Sequence, residues 1–280
     1  TAAEFNTTPV LVSNYSSFQH QVAYVMKQLR ARLGDKYDLA IEPAHVYESE
    51  YFKGLPDKAT ELGCNPDYNA YTGLENDPPD TSTTPFMRTA SGHGHIGWTK
   101  DMNPEDPIHR GDCNTVAKEL DVWLGVMSLM WDRDPRRRIM YGKAGAIRYK
   151  PYGVEYRVMS NKWLSDPLLM DYIQNQVSGC LSNLFSGGDL YSEKYGEAAR
   201  KAIDNNEVGW WNDNKHPLYD LRNEITYPDP KYWVEPIKKA AHTYKPRWKT
   251  STARDALVDD VVRPAVIDAG WPGLRRVEII

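Results

Sequence analysis

Residues 89–98 read TASGHGHIGW, with two imidazoles one residue apart and glycines at 92, 94 and 97. Side chains alternate along an extended chain, so His93 and His95 would point to the same face. Gly92, Gly94 and Gly97 lack a Cβ and so let something bulky approach the backbone. The pattern suits a ligand or metal ion lying over a sheet. It equally suits a packed or surface histidine pair, which is the commoner use of two such residues.

A second stretch, residues 141–163, reads YGKAGAIRYKPYGVEYRVMSNKW. If extended, Glu155 and Arg157 share a face, as do Arg148 and Lys150 on the neighbouring run. A carboxylate among cations suits a metal–phosphate site, where it holds Mg²⁺ while arginines grip phosphate oxygens in pairs. A cross-strand ion pair on a solvated sheet face is the blander account, and spacing alone favours it.

Other charged residues carry less. Arg133 and Arg136–Arg138 follow a helix and read as solvated charge at its end, with nucleotide contact as the alternative. Residues 238–249 (KKAAHTYKPRWK) interleave bases and aromatics as single-strand nucleic-acid binders do, but the run is short and the protein is net acidic. His20 falls on a helix and His109, His216 and His242 in polar loops, so none is assigned a function. No Walker-type loop, GxSxG or HExxH motif is present.

The elements that must position these residues follow from periodicity. AEFNTTPVLV reads as an early strand ending near Pro9. Ser16 and Ser17 can cap a helix with Phe18, Val22, Val25, Met26 and Leu29 on one face, stopped by Gly34. Residues 38–47 read as a strand, 63–85 as loop around at most one short strand, and MRTASGHGHIGW as the next strand. The clearest helix is 114–131, where Val116, Leu120, Trp123, Leu124, Met127 and Met130 recur at helical spacing, capped by Asp112 or Asn114. Runs 147–151 and 154–160 form a hairpin through Pro151 and Gly153. Helices are expected at 167–184, 192–204 and 251–269. Strands and helices without a regular βαβ beat predict an α+β fold with an antiparallel sheet.

Composition narrows the class. The 280 residues carry 26% charged residues and a formal net charge of −4, so no global field draws the chain to nucleic acid or an anionic membrane. No apolar run is long enough for a bilayer, and TAAEFNTT lacks the layout of a signal peptide, so a soluble intracellular protein is expected. Cys64, Cys113 and Cys180 are far apart and odd in number, as reduced thiols would be. Nine Trp and 18 Tyr with a mean hydropathy of −0.64 put much of the packing on aromatics.

Taken together, RTASGHGHIGW, a long amphipathic helix and RRIMYGKAGAIRYKPYGVEYRVMSNKW (137–163) resemble the phage-encoded carboxylate–amine ligases of the glutamine synthetase/γ-glutamylcysteine synthetase superfamily. AEFNTTP and ELGCNPDYNAY are also similar to that family. The resemblance covers roughly residues 1–165. It implies a single ligase-like domain, with 166–280 as its helical C-terminal part. The implied fold is a glutamine synthetase-type domain, a curved antiparallel sheet with helices on the convex side.

The resemblance implies an enzyme that phosphorylates a carboxylate with ATP and lets an amine displace the phosphate, giving an amide. ATP and Mg²⁺ (or Mn²⁺) are the implied cofactors. Small-molecule or peptide acids and amines are the implied partners, with a homo-oligomer or virion association also in view. The implied place is the cytoplasm of an infected bacterial cell, or the virion. Position by position, Glu4, His93 and Glu155 resemble metal ligands, and His95 resembles a histidine near the transferred phosphate. Arg148 and Arg157 resemble phosphate- or substrate-binding arginines, and Lys143 is assigned to the nucleotide's phosphates. Ser160 and Asn161 belong to the motif without a role. The family also implies an acidic strand upstream of AEFN, so sequence is expected ahead of Thr1. Two rivals stand beside the ligase. One is a non-catalytic structural or interaction protein derived from the fold, and the other is a guanidino-kinase-like phosphotransferase.

Overall fold

Alternation along three adjacent strands gives the central sheet one apolar face and one charged face, and helices cover the apolar side. A computed structural model describes residues 3–10, 15–33, 37, 39–61 and 66–225, with 276–279 described in backbone only. The N-terminal part holds helix α1 (Tyr15–Leu33), strand β1 (Ala44–Val46) and the short helices α2 (Ser49–Lys53) and α3 (Asp57–Thr60). Strands β2 (Tyr68–Asn69), β3 (Met87–Thr89) and β4 (Gly94–Gly97) follow. Helix α4 (Pro107–Leu120) runs through a π-helical turn (Asp121–Gly125) into α5 (Val126–Ser128), and α6 (Arg136–Met140) comes next. The hairpin β5 (Ala146–Lys150) and β6 (Gly153–Tyr156) precedes helices α7 (Pro167–Phe185), α8 (Tyr191–Asp204) and α9 (Leu221–Glu224). The last element is β7 (Arg276–Ile279).

Five strands form one sheet in the order β2-β5-β6-β4-β7, with every neighbouring pair antiparallel, while β1 and β3 pair separately. The chain is therefore α+β with antiparallel sheets, as the absence of a βαβ beat predicts. The register sets Arg148 opposite Glu155 and Glu155 opposite His95, so these three lie in one row across the charged face. Ile147, Tyr149, Val154, Tyr156 and Ile96 are buried on the other face and share a core with Cys113, Val116, Ala117 and Leu120 of α4. Each fully buried aliphatic side chain contributes roughly 1.5–3 kcal/mol. That face therefore holds the charged one in place. α7 and α8 extend the same core through Leu169, Ile173, Val177 and Ala199.

Several elements depart from the sequence reading. Residues 3–9 form no strand, and of 3–10 only Val10 makes a bridge. The 38–47 strand shrinks to Ala44–Val46, and MRTASGHGHIGW splits into β3 and β4, which lie in different sheets. The long helix starts at Pro107, because Asp106 accepts from the amides of Ile108 and His109, both at 2.9 Å. It is also interrupted by the π turn, which carries Asp121. The Asp121 carboxylate accepts from Tyr156 Oη at 2.7 Å, Tyr71 Oη at 3.0 Å and the Gly145 amide at 2.7 Å. Three donors around one buried carboxylate stabilise an insertion that the hydrophobic period does not show. The expected helix at 251–269 and the basic–aromatic run at 238–249 lie outside the described residues.

Candidate functional site

Glu155 is the centre of the charged face. Its strand neighbours Val154 and Tyr156 point into the core, which turns Glu155 to the opposite face, between His95 of β4 and Arg148 of β5. Lys150 Nζ donates to Glu155 Oε2 at 2.8 Å, Arg157 Nη1 donates to Oε1, and Arg148 Nη1 lies 3.8 Å from Oε1. The imidazoles complete the ring: His93 Nδ1 is 3.2 Å from Oε1, and His95 Nε2 is 3.8 Å from Oε2. Burial would raise the Glu155 pKa, but hydrogen bonds from His93 and Lys150 outweigh it and hold the carboxyl at about 2. Burial pushes both imidazoles down to about 4, against the pull of Glu155, so they are neutral at pH 7.

Each histidine is held from behind by a tyrosine. An ionised carboxylate can only accept, so the nitrogen of His93 facing Glu155 carries the proton and Nε2 accepts from Tyr141 Oη at 3.3 Å. His95 Nδ1 pairs with the Tyr152 hydroxyl, which stands in the β5–β6 turn. The Tyr141 ring also lies under the Arg157 guanidinium, 5.1 Å from its centroid.

The three cations are not equivalent. Arg157 is 1% exposed, and its Nε donates to Asp67 Oδ2 at 3.2 Å. Asp67 is in turn fixed by Asn76, whose Nδ2 donates to Oδ1 at 2.8 Å. Arg157 therefore lies beneath the face, bridging two carboxylates. The side chains of Arg148 and Lys150 are 23% and 28% exposed and reach solvent.

Other expected residues lie elsewhere. Lys143 is exposed on a loop whose next two amides are taken on the helical side, Ala144 by Asp204 at 2.8 Å and Gly145 by Asp121 at 2.7 Å. Glu4 is exposed and enters none of the Glu155 contacts. Ser160 is buried and caps the turn Asn161–Ser165 by accepting from the Lys162 amide at 3.2 Å, a structural task. Asn161, at the first position of that turn, is half-buried. Gly92 does permit a close approach, but the bulky group is the chain's own Trp163, whose Nε1 lies 2.0 Å from where a Cβ would stand.

The arginine run after the helix is only in part solvated charge: Arg133 and Arg136 are exposed, while Arg137 and Arg138 are buried. Arg137 is fully buried and donates to the carbonyls of Ala90 at 3.2 Å, Val158 at 2.8 Å and Met159 at 2.7 Å. It ties the segment leading into His93 to the segment leaving Arg157. Arg138 is buried beside it on the Gly142 and Val158 carbonyls. Only Arg136 of the three stays exposed, paired with Asp134. His109 sits on a helix rather than in a loop, and its Nε2 bonds the Lys150 carbonyl at 2.8 Å.

Asp67, Tyr141 and Tyr152 are missed by reasoning from sequence. The resemblance covers their motifs, but no spacing rule joins a loop aspartate to an arginine ninety residues away.

A divalent ion is not served by this donor set. Among the described residues no three His, Cys, Asp or Glu are arranged to hold a metal. Both His93 nitrogens are engaged, and both Glu155 oxygens already accept from cations. Glu4, His93 and Glu155 are thus not brought together as a ligand set. The groups present suit an anion better than a cation.

Cys113 and Cys180 are buried free thiols, and burial pushes the Cys113 thiol up to about 12. Among the described residues no helix is long and apolar enough to cross a membrane. The chain matches no protein-family model, no curated protein and no solved structure.

Proposed function

We propose that this chain is an ATP-dependent carboxylate–amine ligase with a glutamine synthetase-like catalytic sheet. The observation that carries the reading is the convergence of Arg148, Lys150, Arg157, His93 and His95 on the Glu155 carboxylate. All of these but Lys150 are residues to which the resemblance gives site roles, whereas Glu4 and Lys143, which it also names, lie elsewhere. A face with more cations than carboxylates, backed by a rigid apolar core, is preorganised for the charge that phosphoryl transfer develops.

In this reading a substrate carboxylate oxygen attacks the γ-phosphorus of ATP and ADP leaves. The amine then attacks the acyl carbon, the bond to phosphate oxygen breaks, and the amine's proton passes to solvent. Arg148 stabilises the transferring phosphoryl group from the solvent side. Arg157 acts from beneath by holding Glu155 in place. Neutral His93 and His95 line the face without adding repulsion to an incoming anion or amine. The described residues do not fit Mg²⁺ or Mn²⁺. The reading places the chain in the cytoplasm of an infected bacterial cell.

The alternative, a non-catalytic structural or interaction protein, draws on a specific observation: Glu155 is already neutralised by the chain's own cations and the metal set is incomplete. Turnover separates the two. Incubated with ATP and mixed pools of amino acids or short peptides as acids and amines, a ligase releases ADP only when both classes are supplied. ADP release with one class alone would mark a kinase. No release from any pool would favour the structural protein.

A further inference from the structure

We propose that Lys150 is the lysine that grips the polyphosphate, a role the motif resemblance gives to Lys143. The inference rests on the ligase reading only for the identity of the polyphosphate as ATP. It starts from the difference between fixed and transferable cations around Glu155. Arg157 is locked, with a carboxylate at each end of its guanidinium and the Tyr141 ring against its face. Lys150 has a flexible stem and a side chain 28% exposed, and its ammonium lies 2.8 Å from Glu155 Oε2. It can leave that oxygen for a phosphate oxygen without breaking the core.

The backbone beneath it is fixed. His109 Nε2 bonds the Lys150 carbonyl at 2.8 Å, and the register sets Lys150 opposite Gly153. Gly153 has φ +149° and no room for a Cβ, which would stand 2.3 Å from the Ile96 carbonyl oxygen. The Ile96 carbonyl and the Trp98 ring fill the space a side chain would take there, which fixes the strand opposite the lysine. Arg148 is two residues back on the same strand and face, with its side chain 23% exposed. Lys150 and Arg148 thus form a pair of solvent-reaching cations on one edge of the Glu155 row. In the ligand-free chain Glu155 accepts the contacts that phosphate oxygens would take, so binding is an exchange of one anion for another. Lys143 has no such arrangement, since its loop is held to Asp121 and Asp204 on the helical side.

The test is calorimetric titration with inorganic tripolyphosphate, then with ATP, at low ionic strength. Lys150→Gln is expected to weaken tripolyphosphate binding by about tenfold or more, and Lys150→Arg to recover most of it. Lys143→Gln is expected to bind as the wild type does, and thermal unfolding should be alike for all three variants. Loss of binding in Lys143→Gln with retention in Lys150→Gln would overturn the assignment while leaving the ligase reading standing. Tripolyphosphate binding that is lost in Lys150→Gln, with no ADP release from ATP under any substrate pool, would keep the site and remove the ligase. A wild type that binds neither probe would end both.

Discussion

Arg157 Nε stands 3.2 Å from Asp67 Oδ2 while its Nη1 donates to Glu155, so one buried guanidinium neutralises a loop carboxylate and a strand carboxylate together. Removing it leaves two carboxylates without their shared partner. Arg157→Ala should therefore cost on the order of 3–5 kcal/mol of stability, because uncompensated buried charge is expensive. Urea denaturation checks this. A midpoint within error of the wild type would show that the bridge contributes nothing to folding.

Arg148→Ala should behave differently. Its side chain reaches solvent and lies 3.8 Å from Glu155, which keeps Lys150 and Arg157 as closer partners when Arg148 is removed. Stability is expected to change by no more than about 1 kcal/mol. ADP release should fall on the order of a hundredfold, as happens when a donor to developing charge is removed. Unchanged turnover per folded molecule would assign Arg148 to an ordinary surface ion pair.

The two imidazoles make stability depend on pH. Their pKa values fall from 6.5 to about 4 on folding, so the folded state resists protons that the unfolded state accepts. Their contribution is whole above pH 6.5 and is lost as pH falls through 4. Glu155, lowered from 4.5 to about 2, adds a second loss between those values. Asp121 works in the opposite sense: burial raises it from 3.8 to about 7, so its contribution is whole below 3.8 and lost as pH rises through 7. Imidazole proton shifts followed by NMR should show His93 and His95 still neutral at pH 5.5. A midpoint near 6.5 for either would contradict the packing described for it.

Gly92→Ala tests whether that glycine serves a ligand or the core. A Cβ there meets Trp163 Nε1 at 2.0 Å and the Ser160 carbonyl oxygen at 2.8 Å. The displaced indole should cost roughly 2–3 kcal/mol, the usual range for overpacking. Thermal unfolding and tryptophan fluorescence are the measurements. Normal stability with impaired anion binding would return Gly92 to the site.

Tyr141→Phe removes the hydroxyl that donates to His93 Nε2 at 3.3 Å. The imidazole keeps its Nδ1 bond to Glu155, so its tautomer should persist while stability falls by about 1 kcal/mol. Nitrogen shifts of His93 read the tautomer directly. A switch to the Nε2–H form would mean that Tyr141, not Glu155, sets it.

Much of the charged face was legible in the sequence, because a period of two needs only neighbouring residues. Arg148 and Lys150 share a face, Glu155 and Arg157 share a face, and HxH puts both imidazoles on one side. The hairpin through Pro151 and Gly153 and the helices near 167–184 and 192–204 were legible for the same reason, since local pattern and turn chemistry suffice for them. Which faces meet is a matter of register, and register is settled by the whole sheet packing on α4. Only the tertiary structure set Arg148, Glu155 and His95 in one row, and brought the Lys150 ammonium to Glu155 while leaving Lys143 exposed on a separate loop. It also exposed Glu4 and buried Arg157 between Asp67 and Glu155. A charged residue reads alike in sequence whether solvated or buried. Its role is decided by the partners that folding brings from distant segments, as with the Arg137 clamp and the aspartate of the 66–76 loop.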